Sequence, residues 1–324
     1  MIHEFLRLIA RASLLLIAWQ LTSPCSATAL PEIELEVDPQ LHGAAVDWRP
    51  WLERVAASVA AVGDGFPVPK VKVVLHLNEG SEPVGFGWVR RDSPPEVHMR
   101  VSPEASLDDL LDDWHAYHEF AHLLLPFAGN RDIWFAEGLA SYYQYFLQAR
   151  AGVIDVDEAW RRLAAGFQRG FDDPAGRGER LSRLSPKMWR TQAFRRVYWT
   201  GAAFFLRVDH RLREASRNTQ SLDTTLAAFA DCCIDDGATT WTAEALTERL
   251  GELSLPEVWR EEYELATRSS ARPEFGSAAR PLGLHVEGDS LRLLDAPEQR
   301  VWRRAIALGE PLPAPPTDSQ IASP

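Results

Sequence analysis

The spacing of apolar residues changes near residue 106, with short alternating segments before it and helical spacing after it. Lys70 to Leu77 alternates and is rich in valine, so it predicts a β-strand. Gly85 to Arg90 and Glu96 to Val101 are two more candidate strands, and we expect the second to be an edge strand that pairs with an extended peptide. Residues 30–50 carry three prolines and predict an extended lead-in, whereas Trp51 to Val62 predicts a helix.

From Ser106 onwards the apolar positions recur at helical intervals. Ser106 and Asp109 fit a capping box, and the helix that they begin should run to about Leu125 because a proline follows. A second helix is predicted over Ile133 to Arg150, capped by Asp132. Further segments predict helices near residues 156–170, 197–215, 222–233, 242–250 and 256–268, and then a small hairpin over residues 282–294. A small sheet followed by a helical body predicts the α+β class.

The first residues have the features of a secretory signal. Arg7 and Arg11 precede a short apolar run over residues 12–21, and Ala27-Thr28-Ala29 fits the small-x-small pattern of a cleavage site. The run is shorter than the ~20 residues that a transmembrane helix needs. We therefore expect an exported protein, periplasmic or secreted, with no membrane span after cleavage; an uncleaved anchor is the alternative.

Charge narrows the classes of partner. The 324 residues carry 34 Lys and Arg against 46 Asp and Glu, which gives a formal net charge of −12. Proteins that bind nucleic acid show a basic face, so this balance argues against a nucleic-acid partner. It argues equally against a role that depends on attraction to anionic lipid.

The cysteines predict neither a disulfide framework nor a metal site. Cys25 lies in the predicted signal, and Cys232 and Cys233 are adjacent. Neighbouring cysteines rarely have the geometry for a mutual disulfide. We expect two half-buried residues on a helix.

An H-E-x-x-H sequence, His118-Glu119-Phe120-Ala121-His122, lies inside the first helix predicted after residue 106. Residues four apart share one face of a helix, so both imidazoles can reach one metal ion. Catalytic zinc takes three protein ligands and a water, and Glu119 is placed to accept a proton from that water. Short matches also arise by chance, so an exported helical protein without a metal is an alternative.

Glu137 is the candidate third ligand. It lies in the apolar stretch Trp134-Phe135-Ala136-Glu137-Gly138 on the second predicted helix. A buried carboxylate is costly unless it is paired or bound to a metal. We therefore predict one Zn²⁺ ion per chain, held by His118, His122 and Glu137, with a surface glutamate as the alternative for Glu137. His115 falls near the same helical face; we expect it to be a polar residue near the helix start, and a contact to the substrate or to a metal ligand is the alternative.

These motifs together resemble the gluzincin metallopeptidases. His118-Glu-Phe-Ala-His122 followed by Glu137-Gly-Leu-Ala-Ser-Tyr-Tyr143 is similar to the metal motifs of the glycyl aminopeptidase family and, more distantly, of aminopeptidase N. The likeness covers about residues 85–235 and includes the segment Tyr198-Trp-Thr-Gly201-Ala-Ala. It implies a thermolysin-like zincin catalytic domain, in which the phenol of Tyr198 donates a hydrogen bond to the oxyanion of the transition state. The alternative for Tyr198 is an aromatic residue at the start of a helix that faces the core.

Two of the chain's departures from that family bear directly on the site. Ser141 stands where some gluzincins carry an aspartate that orients a ligand histidine, so the orienting group must come from elsewhere. The stretch Gly85-Phe86-Gly87-Trp88-Val89 lacks the glutamate with which the family's aminopeptidases hold a free amine. Aminopeptidase and endopeptidase activity both remain open.

The resulting prediction is a zinc-dependent peptidase that hydrolyses peptide or protein substrates, with Glu119 as general base and Tyr198 as a second catalytic residue. The alternative is a catalytically silent gluzincin homologue that acts as an exported binding protein. The predicted organisation is a signal peptide over residues 1–29, the β-rich part of the catalytic domain over 30–105, a helical body with the zinc site over 106–270, a small β-hairpin region over 271–308 and a disordered tail over 309–324.

Overall fold

The computed structural model describes residues 29–234 and 241–312. The predicted signal peptide, apart from Ala29, and most of the predicted tail lie outside the described residues. Within the described ranges, no helix has the length and apolar character needed to cross a bilayer. The strands are β1 (Glu32–Val37), β2 (Lys70–Leu77), β3 (Val84–Arg90), β4 (Glu96–Val101), β5 (Leu284–Glu287) and β6 (Ser290–Leu293).

Helices make up most of the rest of the described chain. They are α1 (Trp48–Ala60), α2 (Leu107–Asp112), α3 (His115–Ala121), α4 (Ile133–Arg150), α5 (Val156–Asp172), α6 (Leu181–Leu184), α7 (Met188–Thr191), α8 (Phe194–Ala215), α9 (Leu222–Cys233), α10 (Ala243–Glu252), α11 (Pro256–Arg268), α12 (Ala279–Leu282) and α13 (Pro297–Leu308). A small sheet followed by a mainly helical body confirms the predicted α+β fold class.

The N-terminal sheet is mixed, with strand order β1-β2-β4-β3. Strands β1, β2 and β4 run parallel, and β3 pairs antiparallel with β4. The expectation that Glu96 to Val101 is an edge strand is therefore wrong, because β4 is hydrogen-bonded on both sides. The edge next to the helical body is β3, whose free side faces helix α3.

Strand β1 lies in the segment where the sequence predicts an extended lead-in. Residues 32–37 alternate glutamate with Ile33, Leu35 and Val37, and these apolar side chains pack against the core. The glutamates point outwards, where Lys70 and Lys72 on β2 form ion pairs with them. The alternation was present in the sequence, but the flanking prolines concealed it.

Helix α4 runs through the centre of the helical body with the predicted bounds. It is apolar on nearly all sides, as expected for a helix covered by other elements. Helices α8 and α3 pack directly against it. Asp132 occupies the predicted N-cap position but makes no side-chain capping bond; its carboxylate instead accepts a hydrogen bond from the backbone N–H of Ala243 at 3.1 Å.

The single helix predicted from Ser106 is broken at Asp113. The predicted capping box is present at Ser106 and Asp109, and α2 then ends at Asp112. The Asp113 carboxylate accepts hydrogen bonds from the backbone N–H and from Nδ1 of His115, both at 2.8 Å. Such local bonds compete with helical ones, so the chain restarts as α3 and ends in a 3₁₀ turn over His122–Leu124.

Two features near the end of the chain differ from expectation. Cys232 and Cys233 form a disulfide at the end of α9, so the prediction of two unlinked cysteines is wrong. The bond joins adjacent residues and closes no long loop. The predicted hairpin is present as β5 and β6, and the same region contains α13, which the sequence interpretation omitted.

Candidate metal centre

The structure brings His118, His122 and Glu137 together where α3 packs against α4. Nε2 of His118 lies 3.2 Å from Oε2 of Glu137, and Nε2 of His122 lies 3.7 Å from the same oxygen. One ligand atom from each of the three residues lies within 4.8 Å of the others. The two imidazoles are nearly perpendicular, with an interplanar angle of 89°.

These donor atoms fit a tetrahedral zinc ion. Zinc bonds to imidazole nitrogen and carboxylate oxygen are about 2.0–2.2 Å long, which separates neighbouring donors of a tetrahedron by roughly 3.4 Å. The observed separations of 3.2 and 3.7 Å bracket that value. Three protein donors leave a fourth position for water or substrate, as catalytic rather than structural zinc sites do.

Gln144 orients one of the histidines. Its Oε1 lies 2.9 Å from Nδ1 of His118, and both side chains are buried. The amide oxygen accepts the proton of Nδ1, which leaves the lone pair of Nε2 directed at the metal position. Gln144 lies seven residues after Glu137, two turns along the same face of α4. Gln144 therefore supplies the orienting group. The aspartate that has this role in some gluzincins is replaced here by Ser141.

Glu119 is buried between the sheet edge and the metal cluster. Strand β3 passes so close that a Cβ atom on Gly87 would lie 2.5 Å from Cγ of Glu119. Burial raises the pKa of Glu119 to about 7, and the charge of His118 opposes this shift. A carboxylate with a pKa near neutral pH can both accept and return a proton.

Tyr198 reaches the cluster from α8. Its ring is stacked on that of His118, with centroids 6.1 Å apart and an interplanar angle of 17°. Burial first, and then the charge of Glu137, raise the pKa of the phenol well above its ordinary value. The hydroxyl therefore stays protonated and remains a hydrogen-bond donor at neutral pH.

Without a metal, the surrounding protein shifts the pKa values of the three candidate ligands in different directions. Burial lowers the pKa of His122 to about 3, so its imidazole is neutral and its lone pair is available. Burial also disfavours the charged forms of His118 and Glu137, but in both residues interactions with neighbouring groups outweigh this effect. Glu137 and neighbouring groups raise the pKa of His118, and the two histidines and Tyr198 lower that of Glu137.

The cluster opens into a cleft of about 320 Å³. Aromatic side chains dominate its lining, namely Phe86, Trp88, Trp114, Phe127, Trp189 and Tyr198. His115 also lines the cleft and stacks on Trp114 at 3.9 Å, so it belongs to the wall of the site. A larger groove of about 660 Å³ lies beside the C-terminal hairpin and contains none of the metal cluster.

Gln144, Gly87 and Arg91 are among the residues of this site that sequence reasoning missed. Gln144 could have been found from its two-turn spacing after Glu137. Gly87 and Arg91 could not, because their roles depend on β3 lying against α3. Arg91 is an exposed residue that lines the cleft; desolvation by the surrounding protein lowers its pKa to about 10, so the guanidinium is still charged at neutral pH.

Comparisons with known proteins bear on the same region. The family model described as M61 glycyl aminopeptidase matches residues 128–202, a segment that contains Glu137 and Tyr198. Among curated proteins, none matches the chain significantly.

A solved structure, described as an aminopeptidase N family protein from Idiomarina loihiensis, matches with a TM-score of 0.59 and 15% identity. The match covers 78% of this chain and 47% of that one, so the chain spans about half the length of the solved protein. The family-model match shows similarity to the M61 glycyl aminopeptidases over that segment, and the solved structure shows a similar fold.

Proposed function

We propose that the protein is a zinc-dependent peptidase in which His118, His122 and Glu137 hold the metal. The observation that supports this most strongly is the convergence of those three donors with Glu119 and Tyr198 on one cleft. Zinc bound there would polarise a carbonyl and lower the pKa of water towards ~7.

Glu119 is the proposed general base. Its buried carboxylate would accept a proton from the attacking water and then pass that proton to the leaving amine nitrogen. The raised pKa of Glu119 suits both transfers, because each is efficient when the pKa lies near the working pH. Gly87 leaves room for the carboxylate to occupy this position.

Tyr198 is the proposed donor to the oxyanion. The negative charge that develops on the carbonyl oxygen of the scissile bond needs a fixed hydrogen-bond donor in a water-poor site. The phenol is held beside His118 and stays protonated. One well-placed donor of this kind contributes about 2.7–4 kcal/mol of transition-state stabilisation.

The lining of the cleft favours apolar peptides. Phe86, Phe127 and Trp189 all open on it with 51%, 37% and 57% of their surfaces exposed, an unusual exposure for large apolar side chains. Glu119 and Glu137 are the acidic residues among the described lining, and both already have roles. With no further carboxylate to hold a free amine, we propose cleavage within a peptide rather than release of its N-terminal residue.

The test is hydrolysis of a quenched fluorescent peptide library by zinc-loaded protein. Glu119→Gln should lower kcat by at least ~100-fold while the metal is retained, because general bases contribute about 10²–10⁴-fold. Tyr198→Phe should lower kcat by about 10²–10³-fold. Tyr145→Phe, which removes a buried phenol bonded to Arg169 outside the cleft, is the control and should keep full activity. A zinc-loaded wild type without turnover would favour the binding-protein alternative.

A further inference from the structure

Arg91 lies beside the proposed catalytic machinery, directly after the edge strand β3. Its Nη2 donates a hydrogen bond to the carbonyl oxygen of His122 at 2.6 Å. The side chain lines the metal cleft, and Glu119 lies close enough to favour its charge. The carbonyl contact fixes the position of the guanidinium at the wall of the cleft.

The guanidinium of Arg91 retains hydrogen-bonding capacity. Its neighbour Arg90 forms ion pairs with Asp92 and Glu96 on the outside of the sheet. Among the described residues, by contrast, Arg91 forms no ion pair, and a backbone carbonyl occupies one of its donors. A guanidinium has five N–H groups, so at least one parallel pair of donors is left for a planar anion.

The positive charge of Arg91 is opposite to the negative charge that a binding site for a free amine requires. A substrate ammonium group would be repelled by Arg91, whereas a carboxylate can accept two hydrogen bonds from it. Arg91 is also the one lysine or arginine in the described lining of the cleft.

The sequence separation between Gly87 and Arg91 limits how far Arg91 can lie from Glu119. Gly87 lies beside Glu119, and Arg91 follows four residues later, at most about 13 Å along an extended strand. A group held by Arg91 is therefore within a few residues of the bond that Glu119 addresses.

We propose that Arg91 determines specificity by binding a carboxylate of the peptide substrate, within a few residues of the scissile bond. The carboxylate is either a free C-terminus or an acidic side chain, since both present the same planar anion. The inference rests on the proposed function, because it assumes that the cleft binds peptides.

The experiment uses one apolar peptide in matched forms. A free C-terminus is compared with an amidated one, and glutamate with glutamine at each position near the cleavage site. The ratio of kcat/KM between the charged and neutral forms is measured for zinc-loaded wild type, Arg91→Gln, Arg91→Lys and the control Arg90→Gln. Calorimetric binding of the same peptides to Glu119→Gln gives a second readout that needs no turnover.

The wild type should prefer one charged form by about tenfold or more, the range expected for a charge-assisted bidentate contact. Arg91→Gln should abolish the ratio, Arg91→Lys should keep part of it, and Arg90→Gln should keep it whole. Which form is preferred identifies the source of the carboxylate. Equal ratios in wild type and Arg91→Gln, with the metal retained, would overturn the proposal.

Two failures can be told apart. If no peptide is hydrolysed but Glu119→Gln still binds the charged form more tightly than the neutral one, the peptidase function fails and the role of Arg91 stands. If neutral peptides are cleaved as well as charged ones, the peptidase function stands and the role of Arg91 fails. Should Arg91→Gln not fold, the wild-type preference and Arg91→Lys decide.

Discussion

Gly138 and Gly201 lie in backbone contact where α4 crosses α8. A Cβ atom on Gly138 would lie 2.5 Å from the carbonyl carbon of Gly201, and one on Gly201 would lie 2.8 Å from Cα of Gly138. Glu137 precedes the first glycine, and Tyr198 lies one turn before the second. The close crossing therefore sets the separation of a proposed metal ligand and a proposed oxyanion donor.

Gly138→Ala should destabilise the protein and weaken the site together. The added methyl group meets backbone atoms that cannot move aside, and overpacking of this kind costs about 1–3 kcal/mol. Chemical denaturation and zinc titration measure the two effects. Gly43→Ala, where the new Cβ atom has no neighbour within 4 Å, is the control. Unchanged stability and zinc affinity in Gly138→Ala would show that the crossing does not define the site.

Gly87→Ala should reduce turnover without removing the metal. The methyl group would occupy the space of Cγ of Glu119 and displace the carboxylate. We expect kcat to fall by about 10²-fold, in the range for a misplaced general base. Gly85→Ala is the matched control on the same strand, because its Cβ atom would meet the side chain of Asn78 instead. Equal kcat values for the two variants would contradict the placement of Glu119.

Gln144→Ala should weaken zinc binding by about 10–100-fold, the usual effect of losing a partner that orients a ligand histidine. Competition with a chelator of known affinity measures it. Gln148→Ala removes another buried glutamine of α4, which binds the carbonyls of Leu111 and Asp112 away from the metal. That control separates a loss of orientation from a general loss of buried hydrogen bonds. Equal zinc affinities in the two variants would remove Gln144 from the site.

The raised pKa of Glu119 predicts a pH-dependent stability in metal-free protein. Below pH 4.5 the carboxyl is protonated in both states, and above about pH 7 it is ionised in both. Between these values the folded state keeps a proton that the unfolded chain releases, so stability falls as pH rises. The difference in unfolding free energy between wild type and Glu119→Gln should drop by ~3 kcal/mol from pH 4.5 to 7. A difference independent of pH would contradict the burial of Glu119.

Local patterns were sufficient for α4, which carries Glu137, and for two strands of the sheet. The bounds of α4, β2 and β4 follow from apolar spacing and from the residues that end each element. The H-E-x-x-H sequence was enough to predict that His118 and His122 lie together, because residues four apart are on the same face of a helix.

Contacts between distant segments could not be read in this way. The break before α3 depends on the Asp113 side chain competing with the helix, and the sequence alone does not show which of the two prevails. Strand order determines that β3, and not β4 as predicted, is the edge strand. The roles of Gly87 and Arg91 follow from that order. Gln144 was predictable from helical spacing, because it lies two turns after Glu137 on the same face of α4; Ser141, one turn after Glu137, is the position at which the family comparison places the orienting group.

The most direct test of the proposed metal site is the zinc content of the purified protein, measured for wild type, His122→Ala and Glu137→Ala. We expect about one zinc ion per wild-type chain and a loss or marked weakening of binding in both variants. Wild-type protein that binds no zinc even after reconstitution, or variants that keep a full complement, would contradict it.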